Sequence, residues 1–232
     1  MANTFATSTA KHIPYPDTPD FKATKGTFLK KLKKQRNAKH SRVTFFGTVK
    51  IHGTNITIVF APSTPPQIQT RNKVINKEED DGYRSAEWLT PRIEVIRSAF
   101  KPIIPTTMQV VIAGELAGRG INPNQAATSE LKKFFTIFRV RVDGIWLDRK
   151  VWQHVRFPPE TSIFNIYEFR TFEVEIDFNE ERTIGGGKII VDLSFGVENE
   201  CPVALQLGGI KKGLGEGIVW IEVCSFPRHS HY

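Results

Sequence analysis

The sequence predicts an α+β fold built mostly from antiparallel strands. β-rich segments follow one another closely along the chain, as in 43–49 and 55–60. A second pair, 134–142 and 145–147, is joined by Asp143-Gly144, a dipeptide typical of tight hairpin turns. Segments with helical spacing are interspersed among the strands, and strands joined by short turns pair antiparallel. These observations favour antiparallel sheets with flanking helices.

The pattern divides the chain into an N-terminal arm, 1–42, and one large domain, 43–232. Pro14, Pro16 and Pro19 interrupt regular structure in the arm, and a short basic helix is expected over Thr27–Ala38. The strand-rich pattern begins at Val43. We therefore predict a partly disordered basic arm followed by a folded domain.

The first half of the domain gives clear element predictions. A short strand is expected over Gln67–Thr70, after a Pro-rich loop. Apolar residues recur at helical spacing through Ser85–Phe100, with a break at Pro91. The nearly continuous apolar run in Met108–Glu115 predicts a strand that is buried on both faces.

The second half is less regular. The pattern of Ser162–Phe169 assigns no element. We predict a strand over Lys188–Leu193, a helix over Val197–Leu207 and a strand over Gly217–Val223. Gly185–Gly187 are expected to form a turn, because the Gly spacing and the Ser/Thr that follow Lys in a phosphate-binding loop are absent.

Composition excludes several classes of protein. Hydrophobic residues make up 40% of the 232 residues and charged residues 24%, as in globular proteins. No apolar run approaches the roughly 20 residues that span a bilayer, and the N-terminus lacks the apolar core of a secretory signal. The two cysteines have no metal-ligand spacing. We expect an intracellular protein, cytoplasmic or nuclear, with no membrane partner and an oligomeric state that the sequence leaves open.

The net charge of +8 is unevenly distributed. The stretch from Lys25 to Arg42 carries eight basic residues and no acidic one. A solvated arm would explain this run, as would a contact with a polyanion such as RNA. Because the run directly precedes the segment 50–55, which contains a candidate catalytic lysine, we favour RNA.

The segment Lys50-Ile51-His52-Gly53-Thr54-Asn55 lies between two apolar, β-rich runs. A covalent nucleophile requires a lysine placed in this way, because apolar flanks would desolvate its ammonium and favour the neutral amine. Gly53 would let the backbone approach a phosphate closely. Lys50 is therefore the leading candidate for a catalytic residue.

This segment resembles the nucleotidyl-lysine motif of DNA ligases, RNA ligases and mRNA capping enzymes. The six-residue form is similar to that of the RNA ligase 2 family, and further motifs follow in the family's order. The resemblance implies phosphate contacts for Arg71, a ribose contact for Glu115 in Gly-Glu-Leu-Ala-Gly and purine stacking for Phe135. It also implies that Glu216, in Glu-Gly-Ile-Val, binds metal and orients Lys50.

The same resemblance implies an ATP-dependent RNA ligase that forms a lysine–AMP intermediate. RNA with 5′-phosphate and 3′-hydroxyl ends is the expected partner, and ATP and Mg²⁺ are the expected cofactors, with Glu115 and Glu216 as metal ligands. His52 and Asn55 are expected to serve the steps after lysine adenylation. Arg139 stands where the family often has an acidic residue.

One family element, a Lys-x-Lys strand beyond the Glu-Gly-Ile-Val motif, has no counterpart after Glu216. Arg228 or the pair Lys211 and Lys212 are candidate replacements. Two alternatives to the ligase therefore remain: a non-catalytic nucleotide- or RNA-binding relative, and a GTP-using capping-type nucleotidyltransferase. His52 and Asn55 argue against the second.

Overall fold

A computed structural model describes residues 12–15, 42–78, 81–123, 125–177, 180–209 and 213–223, with backbone alone for 180–186. Several sequence-based predictions fall outside these ranges. They are the basic helix over Thr27–Ala38, the basic run except for Arg42, and the candidate cations Lys211, Lys212 and Arg228. The described part of the chain is α+β, and most of its strand pairs are antiparallel, so the predicted fold class is confirmed.

The described residues form ten strands. In chain order they are β1 (Arg42–Val49), β2 (Gly53–Phe60), β3 (Gln67–Thr70), β4 (Val74–Ile75), β5 (Val110–Ala117), β6 (Phe134–Val142), β7 (Ile145–Trp146), β8 (Ile163–Asn165), β9 (Thr171–Asp177) and β10 (Ile218–Val223).

The chain divides into two compact units, each with its own sheet. The large-sheet unit contains described residues in 12–15, 53–121 and 133–165. The small-sheet unit contains described residues in 42–52, 122–132 and 166–223.

Seven strands form the large sheet, in the order β4-β3-β2-β5-β6-β7, with β8 pairing parallel to β6. The hairpin between β6 and β7 turns at Asp143-Gly144 as predicted, and both residues have positive φ, 43° and 87°. Such a turn matches the right-handed twist of the paired strands. The predicted strand over Met108–Glu115 is confirmed with shifted ends, and seven of the eight residues of β5 are buried.

Short helices flank the large sheet. The predicted helical stretch is α1 (Ser85–Leu89), a 3₁₀ turn (Thr90–Arg92) and α2 (Ile93–Phe100), with the change of helix type at Pro91. Further along the chain lie α3 (Arg149–Trp152) and the 3₁₀ turn Pro159–Thr161. Apolar side chains of α2, including Ile93, Ile96 and Phe100, are buried.

The small sheet has the order β10-β1-β9, and all its pairs are antiparallel. The 3₁₀ turns Ala127–Glu130 and Ile166–Glu168 belong to the same unit. β9 was not predicted, although its burial alternates regularly between exposed and buried residues. Val43, Phe45, Val174 and Ile176 form a core beneath this sheet, together with Ile190.

The strand predicted over Lys188–Leu193 is wrong. These residues lie within α4 (Glu180–Asn199), as do Gly185–Gly187, which were expected to form a turn. Ile190, Leu193 and Val197 recur at helical spacing, and the first two pack on the core beneath the small sheet. The predicted helix over Val197–Leu207 is divided instead between the end of α4 and α5 (Pro202–Gln206).

Gly114 in β5 allows a close approach that a larger residue would prevent. A Cβ atom there would collide with the ring of Phe135 and the backbone oxygen of Thr136. Both residues are fully buried, so a shift of either would disturb the surrounding core. We expect Gly114→Ala to lower the free energy of unfolding by about 1–3 kcal/mol, measured by urea denaturation.

Gly196 provides the matched control, because a Cβ there meets nothing within 4 Å in α4. Gly196→Ala should raise the free energy of unfolding by about 0.5–1 kcal/mol, since alanine favours helix. Equal stability of the two variants would contradict this account of Gly114.

Candidate functional site

Strand pairing in the small-sheet unit places Lys50 beside Glu216. Lys50 follows β1 directly, and Val49 at the end of β1 pairs with Ile218 at the start of β10. The Lys50 backbone N–H donates to Gly217 O at 2.9 Å, which extends this register by one residue. Gly217 has φ +98°, a conformation that favours glycine. The chain thus bends at Gly217, between Glu216 and the start of β10.

Glu216 contacts both Lys50 and His52. Its Oε2 lies 3.3 Å from Lys50 Nζ, and its Oε1 lies 2.6 Å from His52 Nδ1. We refer to these three residues as the Lys50 cluster. Each carboxylate oxygen has a different partner, so the carboxylate fixes the lysine amine and the imidazole relative to each other. The structure thereby brings together three of the residues that the sequence indicated.

His52 is the more buried partner of Glu216, with 15% of its side chain exposed. A short contact between Nδ1 and a carboxylate oxygen requires a proton on Nδ1. Its Nε2 is buried and has no hydrogen-bond partner among the described residues. The His52 backbone oxygen accepts from Thr128 Oγ1 at 3.4 Å. The imidazole is therefore held on one side and has an unused nitrogen on the other.

The expected desolvation of Lys50 by its apolar neighbours is wrong. Val49 and Ile51 are buried, with 2% and 7% exposure, but 54% of the Lys50 side chain is exposed. Successive side chains of an extended segment point to opposite sides, so burial of the neighbours does not bury the lysine. The contact with Glu216, and not an apolar pocket, is what orients the amine.

A second set of candidates lies across the large sheet. Asn55 in β2 pairs with Glu115 in β5, and Glu115 pairs with Thr136 in β6. Arg71 follows Thr70, the partner of Ile56, and lies in the tight turn between β3 and β4, which the hydrogen bond from the Thr70 N–H to Lys73 O closes. Paired residues of adjacent strands share a face of the sheet. We refer to Asn55, Glu115 and Thr136 as the polar row.

Two buried atoms of the polar row lack partners. Asn55 Oδ1 and Thr136 Oγ1 are buried without a hydrogen bond to any described residue. Leaving such atoms unpaired costs about 1–3 kcal/mol each, so buried polar groups normally have a partner. A bound molecule with hydroxyl or amino groups would supply one. The sequence analysis did not identify Thr136 as a site residue. Alternation along the strand was the available signal, because it places Thr136 on the face opposite Phe135.

Gly53 and Phe135 occupy different surroundings from those expected. A Cβ at Gly53 would collide with Leu116 O, so this glycine permits close pairing of β2 with β5. Phe135 is fully buried, and its ring covers Gly114 on the face opposite Glu115. The predicted stacking role of Phe135 has no support in this geometry.

A metal ion was predicted on Glu115 and Glu216. Among the described residues, no group of three or more His, Cys, Asp or Glu side chains is arranged to hold a metal. Mg²⁺, however, is commonly held by one or two carboxylates together with substrate phosphates. Glu216, with 28% of its side chain exposed and two carboxylate oxygens, suits a contact of that kind.

Comparison with known proteins identifies related folds. Solved structures of Naegleria gruberi RNA ligase mutants match this chain, one with ATP and Mn at a TM-score of 0.55 and 12% identity, covering 90% of this chain and 52% of that chain. Another, with AMP and Mn, has a TM-score of 0.54 and 12% identity, covering 90% and 53%. The chain thus spans about half the length of the ligase it matches. Identities this low establish the fold alone.

No curated protein sequence matches the chain. None of the helices in the described ranges combines the length and apolar character needed to cross a membrane. The family model for RNA ligase matches residues 43–226, from the first strand of the small sheet to just beyond the last. The matched region contains both the Lys50 cluster and the polar row, and the chain belongs to the RNA ligase family.

Proposed function

We propose that this chain is an ATP-dependent RNA ligase that uses Lys50 as its nucleophile and joins RNA 5′-phosphate to 3′-hydroxyl ends. The observation that carries the proposal is the Lys50 cluster, in which Glu216 lies 3.3 Å from Lys50 Nζ and 2.6 Å from His52 Nδ1. Membership of the RNA ligase family supports the reaction class.

In the first step, the Lys50 ammonium gives one proton to water, and the neutral Nζ then attacks the α-phosphorus of ATP and releases a second proton as the new bond forms. A P–N bond forms, the bond between the α-phosphorus and its bridging oxygen breaks, and pyrophosphate leaves. Glu216 Oε2 holds the amine in a fixed position, which lowers the entropic part of the barrier. An exposed lysine without such a partner would sample many rotamers.

In the later steps, AMP passes from Lys50 to the RNA 5′-phosphate, so the P–N bond breaks and a 5′–5′ anhydride forms. The RNA 3′-hydroxyl then attacks the 5′-phosphate, and AMP leaves. We assign His52 and Asn55 to these steps. His52 Nε2 and Asn55 Oδ1, which have no hydrogen-bond partner in the part of the chain that the structure describes, are atoms that an RNA end group could use.

Nucleotide binding is assigned to Lys50, Gly53, Arg71, Glu115 and Glu216, and Glu115 and Glu216 would hold Mg²⁺. When bound, the ion would stabilise negative charge on phosphate oxygens. The guanidinium of Arg71 supplies a cation for a phosphate. The matching structures of the Naegleria gruberi ligase mutants hold ATP or AMP together with Mn, which supports nucleotide and divalent-metal use in this chain.

RNA sealing tests the proposal. The purified chain, ATP and Mg²⁺ should convert a nicked RNA duplex with a 5′-phosphate into a continuous strand on a denaturing gel. The same duplex with a 5′-hydroxyl should remain nicked, because no phosphate can accept AMP. Sealing with GTP in place of ATP would indicate the capping-type alternative. Measurable ATP binding without any sealing would favour the non-catalytic relative and contradict the proposal.

A further inference from the structure

A short segment of the N-terminal region, His12–Tyr15, contacts the large sheet, and we refer to it as the strap. At one end, the His12 side chain Nε2 lies 3.2 Å from Thr70 O. The next residue, Ile13, donates its backbone N–H to Gln69 Oε1 at 3.0 Å. Both partners belong to β3, near one side of the large sheet.

The other end of the strap reaches β6 and β7. The Tyr15 ring lies 5.4 Å from the Phe138 ring and 5.6 Å from the Trp146 ring, both in edge-to-face geometry. In the order of the sheet, β2 and β5 lie between β3 and β6. The strap therefore crosses the two strands that carry Asn55 and Glu115.

Strand register shows which face the strap covers. Gln69 pairs with Thr57, Thr57 with Ala113, and Ala113 with Arg139. This second row lies two residues from the polar row on β2 and β5, and three residues from it on β6, where a bulge shifts the register between Ala113 and Gly114, so both rows share a face. Thr57 and Ala113 are 3% and 0% exposed, as expected for residues beneath a covering segment.

Charges from both rows act on Tyr15. Burial raises the pKa of the Tyr15 phenol; Arg139 opposes this shift and Glu115 adds to it. The phenol is therefore close enough to one residue of each row to respond to its charge. Tyr15 has no hydrogen-bond partner among the described residues, and its side chain is only half-buried.

Gln69 fixes the position of the strap. It is fully buried, and its Oε1 accepts from the strap backbone, whereas its Nε2 has no partner in the described part of the chain. Buried amides normally have hydrogen-bond partners, and the strap backbone supplies one to Gln69. The strap is therefore part of the packed structure on this face. Buried polar atoms without a hydrogen bond to any described residue thus occur on this face at Asn55, Thr136 and Gln69.

We propose that the strap forms a wall of the nucleotide site, and that the ring of Tyr15 contacts the nucleobase. Phe135 cannot serve this purpose, because its ring is buried on the opposite face. Tyr15 presents an aromatic ring on the face that carries Glu115 and the unpaired polar atoms, where a base has both a stacking surface and hydrogen-bond partners. This inference rests on the proposed function and assigns its base-contacting residue.

Two probes separate a base contact from a general effect on the site. We would measure the dissociation constants of ATP and of inorganic tripolyphosphate, which lacks the base, for the full chain by calorimetry. Tyr15→Ala should weaken ATP binding by about 5- to 150-fold, the range expected for loss of one stacked base. Tripolyphosphate binding should change by less than about twofold. Tyr15→Phe keeps the ring and should retain most of the ATP affinity.

A control and a second variant complete the test. Tyr167→Ala removes a ring that packs on Phe46 in the small-sheet unit, and it should leave both dissociation constants unchanged. Gln69→Leu releases the strap from β3 and should weaken ATP binding in the same direction as Tyr15→Ala. Melting temperatures would confirm that every variant is folded under the assay conditions.

Three results would overturn the inference. If Tyr15→Ala binds ATP with wild-type affinity, the assignment of Tyr15 as the base-contacting residue is wrong. The proposed function would still stand if the unmodified chain forms a lysine adduct. Equal losses for ATP and tripolyphosphate would show that Tyr15 has a structural role only. Absence of ATP binding by the unmodified chain would overturn the proposed function and this inference together.

Discussion

Lys50→Ala is expected to abolish covalent labelling of the chain by α-labelled ATP. The variant lacks the only atom assigned to attack the α-phosphorus, since neither His52 nor Glu216 of the Lys50 cluster is assigned to that step. Stability should change by no more than about 1 kcal/mol, because the Lys50 side chain is 54% exposed and its ion pair with Glu216 is solvated. Label retained on a denaturing gel measures the reaction.

Lys188 supplies the matched control for this prediction. It is also a lysine with an acidic partner, since its Nζ lies 3.8 Å from Asp192 Oδ2, and 78% of its side chain is exposed. Lys188→Ala should label like the unmodified chain. Wild-type labelling of Lys50→Ala, with the adduct mapped to another lysine, would remove Lys50 from the mechanism.

Glu216→Gln should slow adduct formation by about a hundredfold or more, because the amine loses the charged partner that orients it. The amide keeps the size of the side chain, so the substitution tests charge and not packing. Initial rates of labelling at saturating ATP measure the effect. A rate within about threefold of the unmodified chain would show that the contact with Lys50 has no part in the reaction.

Glu222→Gln, in the strand β10 that follows Glu216, is the control for Glu216→Gln. Glu222 is exposed and lies outside the Lys50 cluster, so its neutralisation should leave the labelling rate unchanged. Equal slowing of both variants would point to a general effect of net charge on nucleotide binding.

Local sequence signals predicted much of the large-sheet unit, both strands and helices. The hairpin at Asp143-Gly144 depends on turn chemistry within two residues, and the helical stretch Ser85–Phe100 on spacing and one proline. Both kinds of signal lie within a short window. The strand β9, which was not predicted, has a signal of the same kind in its alternation of charged and apolar residues.

Predictions failed where packing over long sequence distances decides the structure. The β-branched run in Lys188–Leu193 favours a strand by local preference, but Ile190 packs beneath the small sheet as part of a helix. Tertiary contacts of this kind override local propensity. The exposure of Lys50 has a local origin instead, because successive side chains of an extended segment point to opposite sides and buried neighbours do not bury the lysine.

The motifs identified individual site residues but not their arrangement. The sequence places Glu216 far from His52, and only the pairing of β1 with β10 brings their side chains to 2.6 Å. Likewise, the polar row depends on the registers of β2, β5 and β6. Tyr15 belongs to no motif and was found through its contacts alone.

The most direct test of the account is to identify the adenylated residue in the unmodified chain. The chain would be incubated with ATP and Mg²⁺, digested at neutral pH, and examined by mass spectrometry for an AMP-bearing peptide. We predict a single acid-labile adduct on Lys50, removed by added pyrophosphate. An adduct on another residue, or unmodified Lys50 in a chain that binds ATP, would contradict the assignment of Lys50 as the nucleophile.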